Sequence, residues 1–185
     1  MEGQPRTTRL RWLPNAITCL RLAALPVLAW FLAVDEGPTS ARAAWFFGAI
    51  GATDFIDGQL ARRLGAESKF GAIADPFADR MLMAVGLIGL ITLDRYAWPG
   101  PIIILARDLI AVIAFVVLAR RGVTLRVDAA GKISSGMAMF AVGLALLIDH
   151  RSIDVYFWIA VVVSIATFAN YSWGIARKLQ SSGST

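Results

Sequence analysis

Apolar residues along this chain fall into six long runs, broken by short polar stretches rich in turn formers. The runs cover approximately residues 15–34, 41–61, 72–93, 98–119, 132–148 and 153–176. About 20 helical residues, rising ~1.5 Å each, cross a hydrocarbon layer of ~30 Å. Each run approaches that length, whereas core helices of soluble domains are usually shorter and interrupted by polar positions. The connections include Asp35-Glu36-Gly37-Pro38, Trp98-Pro99-Gly100-Pro101 and Asp149-His150-Arg151, all suited to tight reversals. The pattern predicts an all-α integral membrane protein with six transmembrane helices. Residues 1–185 then form a single transmembrane domain, with no internal repeat and no room for a separate soluble unit.

Composition sharpens this reading. The chain is 57% hydrophobic and 17% charged, with a mean hydropathy of +0.64. Soluble domains average about 45–50% apolar and ~25% charged residues. A net charge of +5 is compatible with nucleic-acid binding, but the placement of the charges argues otherwise. Fourteen of the eighteen lysines and arginines fall on one side of the six-span layout, and only Arg42, Arg95 and Arg151 on the other; Arg107 lies inside a span. That bias predicts a multi-pass protein of the cell membrane with both termini cytoplasmic, its basic residues attracted to anionic headgroups. The basic start before the first run resembles a signal peptide, but the run is long enough to span and no small-residue cleavage site follows it. The single cysteine, Cys19, excludes an intrachain disulfide framework and a cysteine metal site. The single histidine, His150, argues against a histidine-rich metal centre or a Ser-His-Asp triad. Carboxylates, arginine and lysine remain as the available polar chemistry.

Those carboxylates are concentrated where lipid makes them costly. Asp54 and Asp57 stand three apart near the end of the second run, and Asp75 and Asp79 stand four apart near the start of the third. Both spacings place the partners on one helical face, and an antiparallel hairpin brings the two pairs together at the cytoplasmic edge of the bilayer. An aspartate at mid-bilayer costs about 2.5–3.5 kcal/mol on insertion scales, and less near the interface. Two compensations are open: ion pairs with Arg62 and Arg80, or divalent cations, which favour hard oxygen ligands. Two magnesium or manganese ions about 3.5–4 Å apart would suit phosphoryl transfer. Gly58 and Ala61 leave a shallow strip beside the carboxylates, suited either to close helix packing or to a diphosphate against the backbone.

The whole segment reads Asp-x2-Asp-Gly-x2-Ala-Arg-x8-Gly-x3-Asp-x3-Asp from Asp54 to Asp79. It resembles the signature of the CDP-alcohol phosphatidyltransferase family at every fixed position and spacing. The Leu13-Pro14-Asn15 to Arg21-Leu22 start resembles the opening of that family's bacterial glycerophosphate branch. The resemblance implies an enzyme that transfers a phosphatidyl group from CDP-diacylglycerol to an alcohol and releases CMP. It implies that Asp54, Asp57, Asp75 and Asp79 hold two divalent cations, Mg2+ or Mn2+, and that Asp79 is also the general base. It further implies that Gly58, Ala61, Arg62 and Gly71 seat the CDP moiety, that the active site is cytoplasmic, and that the protein is a homodimer. Asn15 and Thr18 either touch the nucleotide or cap the first helix.

The acceptor is read from two basic residues. Arg107 within the fourth span calls for a polar cavity, and Lys132 opens the fifth. Both suit the phosphate of a phosphorylated acceptor, the arginine by a bidentate fork and the lysine as a point charge. A structural salt bridge for Arg107 and an interfacial snorkel for Lys132 are the alternatives. Asp108 adjoins Arg107, yet neighbours on a helix diverge by ~100° and form no automatic pair. The resemblance leans toward phosphatidylglycerophosphate synthases, which accept glycerol 3-phosphate. Those enzymes usually show Arg-Glu where this chain has Arg107-Asp108, and a second basic residue where Ser134-Ser135 follows Lys132-Ile133. Arg-Asp is frequent in cardiolipin synthases of the same fold, which makes phosphatidylglycerol the alternative acceptor. A divalent-cation transporter is the alternative of another class, although its carboxylates belong near the midplane rather than at one edge. A silent CDP-lipid scaffold is a third, opposed by the intact Asp79.

Overall fold

The computed structural model describes the backbone of residues 13–64, 71–120 and 129–182, and side chains at 18–53, 77–114, 117, 130–170 and 172–173. The described residues form six helices in chain order: α1 (Leu13–Val34), α2 (Ala41–Leu64), α3 (Gly71–Thr92), α4 (Pro99–Arg120), α5 (Ala129–Leu147) and α6 (Arg151–Ser182). The expected segments are all present as helices. The largest departures are that α6 runs six residues further than the apolar pattern suggests, while α2 ends three later and α5 starts three earlier. These extensions are mostly polar or small residues that hydropathy does not assign to a span.

The helix ends follow local chemistry. Ser40 caps α2: its Oγ accepts from the Ala43 amide at 3.1 Å and donates to the carboxylate of Asp35, which also receives Arg42. α4 opens on Pro99, whose missing amide costs nothing in a first turn. α3 ends at Asp94 in the left-handed region (φ 51°), with the Arg95 amide returning to the Leu90 carbonyl at 3.0 Å. His150 precedes α6, and its Nδ1 accepts from the Ser152 amide at 3.2 Å.

α3 is packed against α1, α4 and α5; α2 bridges α1 and α5; and α6 covers α5 and α4. The core is built from stripes of leucine and small residues. On α1 the buried positions Thr18, Arg21, Leu25, Leu28 and Leu32 recur at three and four, the period of one helix face. On α5 the stripe is Ser134, Ala138, Ala141, Val142, Ala145 and Leu146. Small side chains bring the backbones close, as membrane helix bundles require. Phe47 of α2 fills the junction with α3 and α5 and is 1% exposed.

Large apolar side chains also cover the outside: Trp30, Trp45, Leu109, Phe140, Val162 and Trp173 are all exposed. A soluble monomer rarely presents so much contiguous apolar surface to water. Among the described residues, Ala130–Leu147 and Arg151–Asn170 are long and apolar enough to cross a membrane, and Thr18–Val34 forms a shorter apolar stretch.

The end of the bundle at the α3–α4 and α5–α6 turns is closed by a buried cation. The Arg95 side chain, 6% exposed, reaches Asp149 at 3.1 Å and Asp154 at 2.5 Å, and stacks over the Tyr96 ring. The Tyr96 hydroxyl donates to Asp154 at 2.9 Å, and its ring stacks on Phe157 with centroids 4.2 Å apart.

Candidate active site

The opposite end holds the residues singled out by spacing. Positions 54 and 57 lie within α2 and positions 75 and 79 within α3, both helical in backbone. The connection between these helices, 65–70, adjoins the ends that carry the four aspartates. The side chains of Asp54, Asp57 and Asp75 lie outside the described residues, as do those of Asn15, Ala61 and Arg62, with Gly58 and Gly71 at the same stretch of backbone. Among the described residues there is no group of three or more histidine, cysteine or acidic residues placed to hold a metal. Asp79 is the member of the expected set whose side chain is described.

Asp79 lies beside Ala78 at the edge of the buried stripe of α3, and its side chain is 44% exposed. Its Oδ1 accepts from Arg21 Nη1 at 3.2 Å, across the α1–α3 interface. The Arg21 side chain is only 3% exposed. Arg21 entered the sequence reading as one of fourteen basic residues and as part of the Leu13–Leu22 start; the structure makes it a cation that faces the expected base. The signal that would have found it is the spacing of three and four that links it to Thr18, Leu25 and Leu28 on the inward face of α1.

Thr18 is likewise buried, at 2% exposure. It lies well inside α1, so helix capping does not account for it. Thr18 and Arg21 stand three apart, sharing one face that points toward α3.

Arg80, one of the two arginines offered as an alternative compensation for the aspartates, reaches a different carboxylate. Its Nη1 lies 2.5 Å from Oδ1 of Asp108 on α4, whose side chain is 8% exposed. Arg107 Nη1 donates to that same oxygen at 3.0 Å, so the neighbours that helix geometry sets ~100° apart do pair. A long guanidinium arm bends back far enough to reach the adjacent residue. Arg107 is therefore held in a two-arginine, one-carboxylate cluster, and its buried Nε has no hydrogen-bond partner. Among the described residues, two cations face one anion in this mostly buried place. Lys132, by contrast, is exposed near the start of α5. Two residues on, Ser134 is fully buried on the core face, and its Oγ has no partner.

The arrangement offers a carboxylate charge-balanced by a buried arginine, two arginines gathered on one carboxylate of the next helix, and small-residue packing that fixes the helices carrying both. These are the elements needed to bind an anionic phosphate compound and to accept a proton beside it.

Comparison with known proteins points the same way. Residues 11–166 match the family described as CDP-alcohol phosphatidyltransferase. The chain is 33% identical to a probable phosphatidylglycerophosphate synthase of Mycobacterium tuberculosis, over 99% of this chain and 92% of that protein. It is 31% identical to a cardiolipin synthase (CMP-forming) of Streptomyces coelicolor, over 94% of this chain and 80% of the relative. It is 30% identical to the CDP-diacylglycerol–glycerol-3-phosphate 3-phosphatidyltransferase of Bacillus subtilis, over 86% of this chain and 92% of that enzyme. With the Asp54–Asp79 pattern complete and most of the chain matched, this protein belongs to the CDP-alcohol phosphatidyltransferase family.

Proposed function

We propose that this chain is a six-span membrane enzyme that transfers a phosphatidyl group from CDP-diacylglycerol to the hydroxyl of glycerol 3-phosphate. The observation that carries this reading is the four-aspartate pattern on α2 and α3, with Asp79 balanced by buried Arg21. The names of the M. tuberculosis and B. subtilis relatives support the acceptor. Residues 1–185 act as one catalytic domain in the cell membrane, with the site and both termini cytoplasmic, and two copies form a homodimer.

The donor set fits divalent cations. Asp54, Asp57, Asp75 and Asp79 supply hard oxygen donors from two adjacent helix ends. When bound, two Mg2+ or Mn2+ ions supply the positive charge that polarises the diphosphate and stabilises departing CMP. Gly58, Ala61, Arg62 and Gly71 seat the CDP group, with Asn15 and Thr18 on the adjoining part of α1. Arg107 and Lys132 hold the acceptor phosphate. Asp79 takes the acceptor's hydroxyl proton; the oxygen then bonds to the lipid-bearing phosphorus as the bond from that phosphorus to CMP breaks. The acyl chains remain in lipid while the polar groups react at the edge of the bundle.

Purified protein with CDP-diacylglycerol and either glycerol 3-phosphate or phosphatidylglycerol, with lipid products identified by mass spectrometry, tests the acceptor. Phosphatidylglycerophosphate supports the proposal; cardiolipin supports the second reading, which the Arg107-Asp108 pair and the S. coelicolor relative favour. Chelation should stop CMP release and added Mg2+ or Mn2+ restore it. Divalent-cation flux into liposomes without CMP release would overturn the enzymatic reading in favour of transport. Asp79→Asn should abolish transfer while CDP-lipid binding persists, and near-normal turnover would remove Asp79 as base.

A further inference from the structure

Threonine hydroxyls on these helices return to their own backbone: Thr53 donates to the Ala49 carbonyl at 2.8 Å, Thr92 to Gly89 at 3.0 Å and Thr167 to Val163 at 2.7 Å. Ser134 on α5 and Ser164 on α6 do not. They are 0% and 1% exposed, and neither Oγ has a hydrogen-bond partner. The buried Arg107 Nε on α4 is in the same condition. Contacts nearer the Arg95 end place all three at one depth. α4 and α6 both start at that end, and a Cβ on Gly100 would meet Phe157 at 3.0 Å. Seven residues on from each, nearly two turns, Arg107 and Ser164 return to the same two faces. Phe140 of α5 meets Tyr156 of α6 edge to face, with centroids 6.1 Å apart. Ser134 lies six residues before the one and Ser164 eight after the other, ~9 and ~12 Å along antiparallel helices at ~1.5 Å per residue. A Cβ on Gly86 would meet Val142 at 2.8 Å, and stepping back seven residues on α3 and eight on α5 gives Asp79 and Ser134. The unpaired atoms therefore lie at the level of the expected base.

A buried polar atom left unpaired is costly, and three at one depth from three helices call for a polar group held among them. We propose that Ser134 and Ser164 bind the second, non-attacking hydroxyl of the acceptor, so that the site selects a vicinal diol. A secondary hydroxyl both donates and accepts, and each serine can answer in either sense. Arg107 Nε–H only donates, which suits the acceptor phosphate already assigned to that arginine. Glycerol 3-phosphate and phosphatidylglycerol both present such a diol. The assignment thus rests on the phosphatidyltransferase reading above but not on which of the two is accepted. A trapped water would offer the serines the same bonds, but it confers no preference between acceptors.

The test pairs each acceptor with an analogue that lacks only the secondary hydroxyl: glycerol 3-phosphate with 3-hydroxypropyl phosphate, and phosphatidylglycerol with phosphatidylpropanediol. Purified full-length protein in mixed micelles with CDP-diacylglycerol is assayed on all four. In wild type the diol of the productive pair should have a kcat/KM higher by about a hundredfold or more. Ser134→Ala and Ser164→Ala should each lower kcat/KM for the diol about tenfold and leave its analogue unchanged. Ser134→Cys and Ser164→Cys keep the volume but hydrogen-bond weakly, and should follow the alanine variants. A packing defect instead lowers both members of a pair together. Equal use of diol and analogue by wild type, or serine variants that keep the wild-type preference, would overturn the diol site while the transferase stands. Absence of lipid product from all four acceptors would overturn the phosphatidyltransferase reading itself, and the diol site with it.

Discussion

Gly86→Ala places one methyl group at the junction of α2, α3 and α5. A Cβ built there lies 2.8 Å from both Phe47 Cε2 and Val142 Cγ1. Carbon atoms pack best at about 3.5–4.0 Å, so the junction must open by roughly 0.7 Å. Phe47 has little room to retreat, because its side chain is enclosed at the α2–α3–α5 junction and 1% exposed. Overpacking of this kind costs about 1–3 kcal/mol. A cost of about 2 kcal/mol corresponds to a melting point lower by ~4–8 °C in a chain of this size. The effect extends to chemistry. Asp79 lies seven residues before Gly86, nearly two full turns, so the two positions share a face of α3. Pushing α3 outward at Gly86 therefore moves Asp79 along the direction in which it faces its partners. Misplacement by 1 Å can cost about a hundredfold in rate, and a shift of roughly 0.7 Å should lower CMP release by about tenfold or more. Melting in detergent and CMP release in mixed micelles measure the two effects. Phe47→Leu in the Gly86→Ala background should recover part of each. Gly136→Ala, where nothing lies within 4 Å, is the control. The steric reasoning fails if Gly86→Ala melts and turns over like wild type, or if Gly136→Ala is equally damaged.

Arg21→Met should lower turnover more than it raises the CDP-diacylglycerol KM, because the arginine touches Asp79; the half-exposed aspartate limits the stability loss to about 1–2 kcal/mol. Equal effects on both kinetic constants would count against it. Burial, then the hydrogen bond to Asp154, pushes the Tyr96 phenol well above the usual tyrosine range. The folded state thus keeps a proton that the unfolded chain loses near pH 10, and its stabilising contribution declines as pH rises above that value. Tyr96→Phe should flatten the alkaline limb of a melting-temperature profile; an unchanged limb would assign it to other groups. The hydrogen bond from Ser40, then Arg42, holds the Asp35 carboxyl below its ordinary value of 3.8. Its contribution is present above pH ~4 and disappears as pH falls below that range. Ser40→Ala should reduce the acid-side slope of the melting profile, and a slope identical to wild type would refute the assignment.

The six helices were legible because hydropathy over ~20 residues averages many weak preferences into one strong signal. The aspartate pattern was legible because both pairs lie on single helices, where spacing alone fixes a shared face. The ion pairs were not. Arg21 with Asp79, and Arg80 with Asp108, join helices whose relative rotation is decided by packing elsewhere, at Phe47, Gly86 and the Leu32–Gly89 contact. Arg80, with Arg62, was the alternative to metal ions as compensation for the aspartates. Local proximity favoured that choice, and the rotation of α4 against α3 decided otherwise. Arg107 with Asp108 was missed for a different reason: helical-wheel angles describe where Cβ points, not where a six-atom side chain ends.

With Asp149, Asp154 and Tyr96 gathered round it, and its buried Nε without a hydrogen-bond partner, Arg95 ties the α3–α4 turn to the α5–α6 turn. Loss of that one cation would therefore loosen two turns at once, at the end of the bundle away from the aspartate-bearing helix ends.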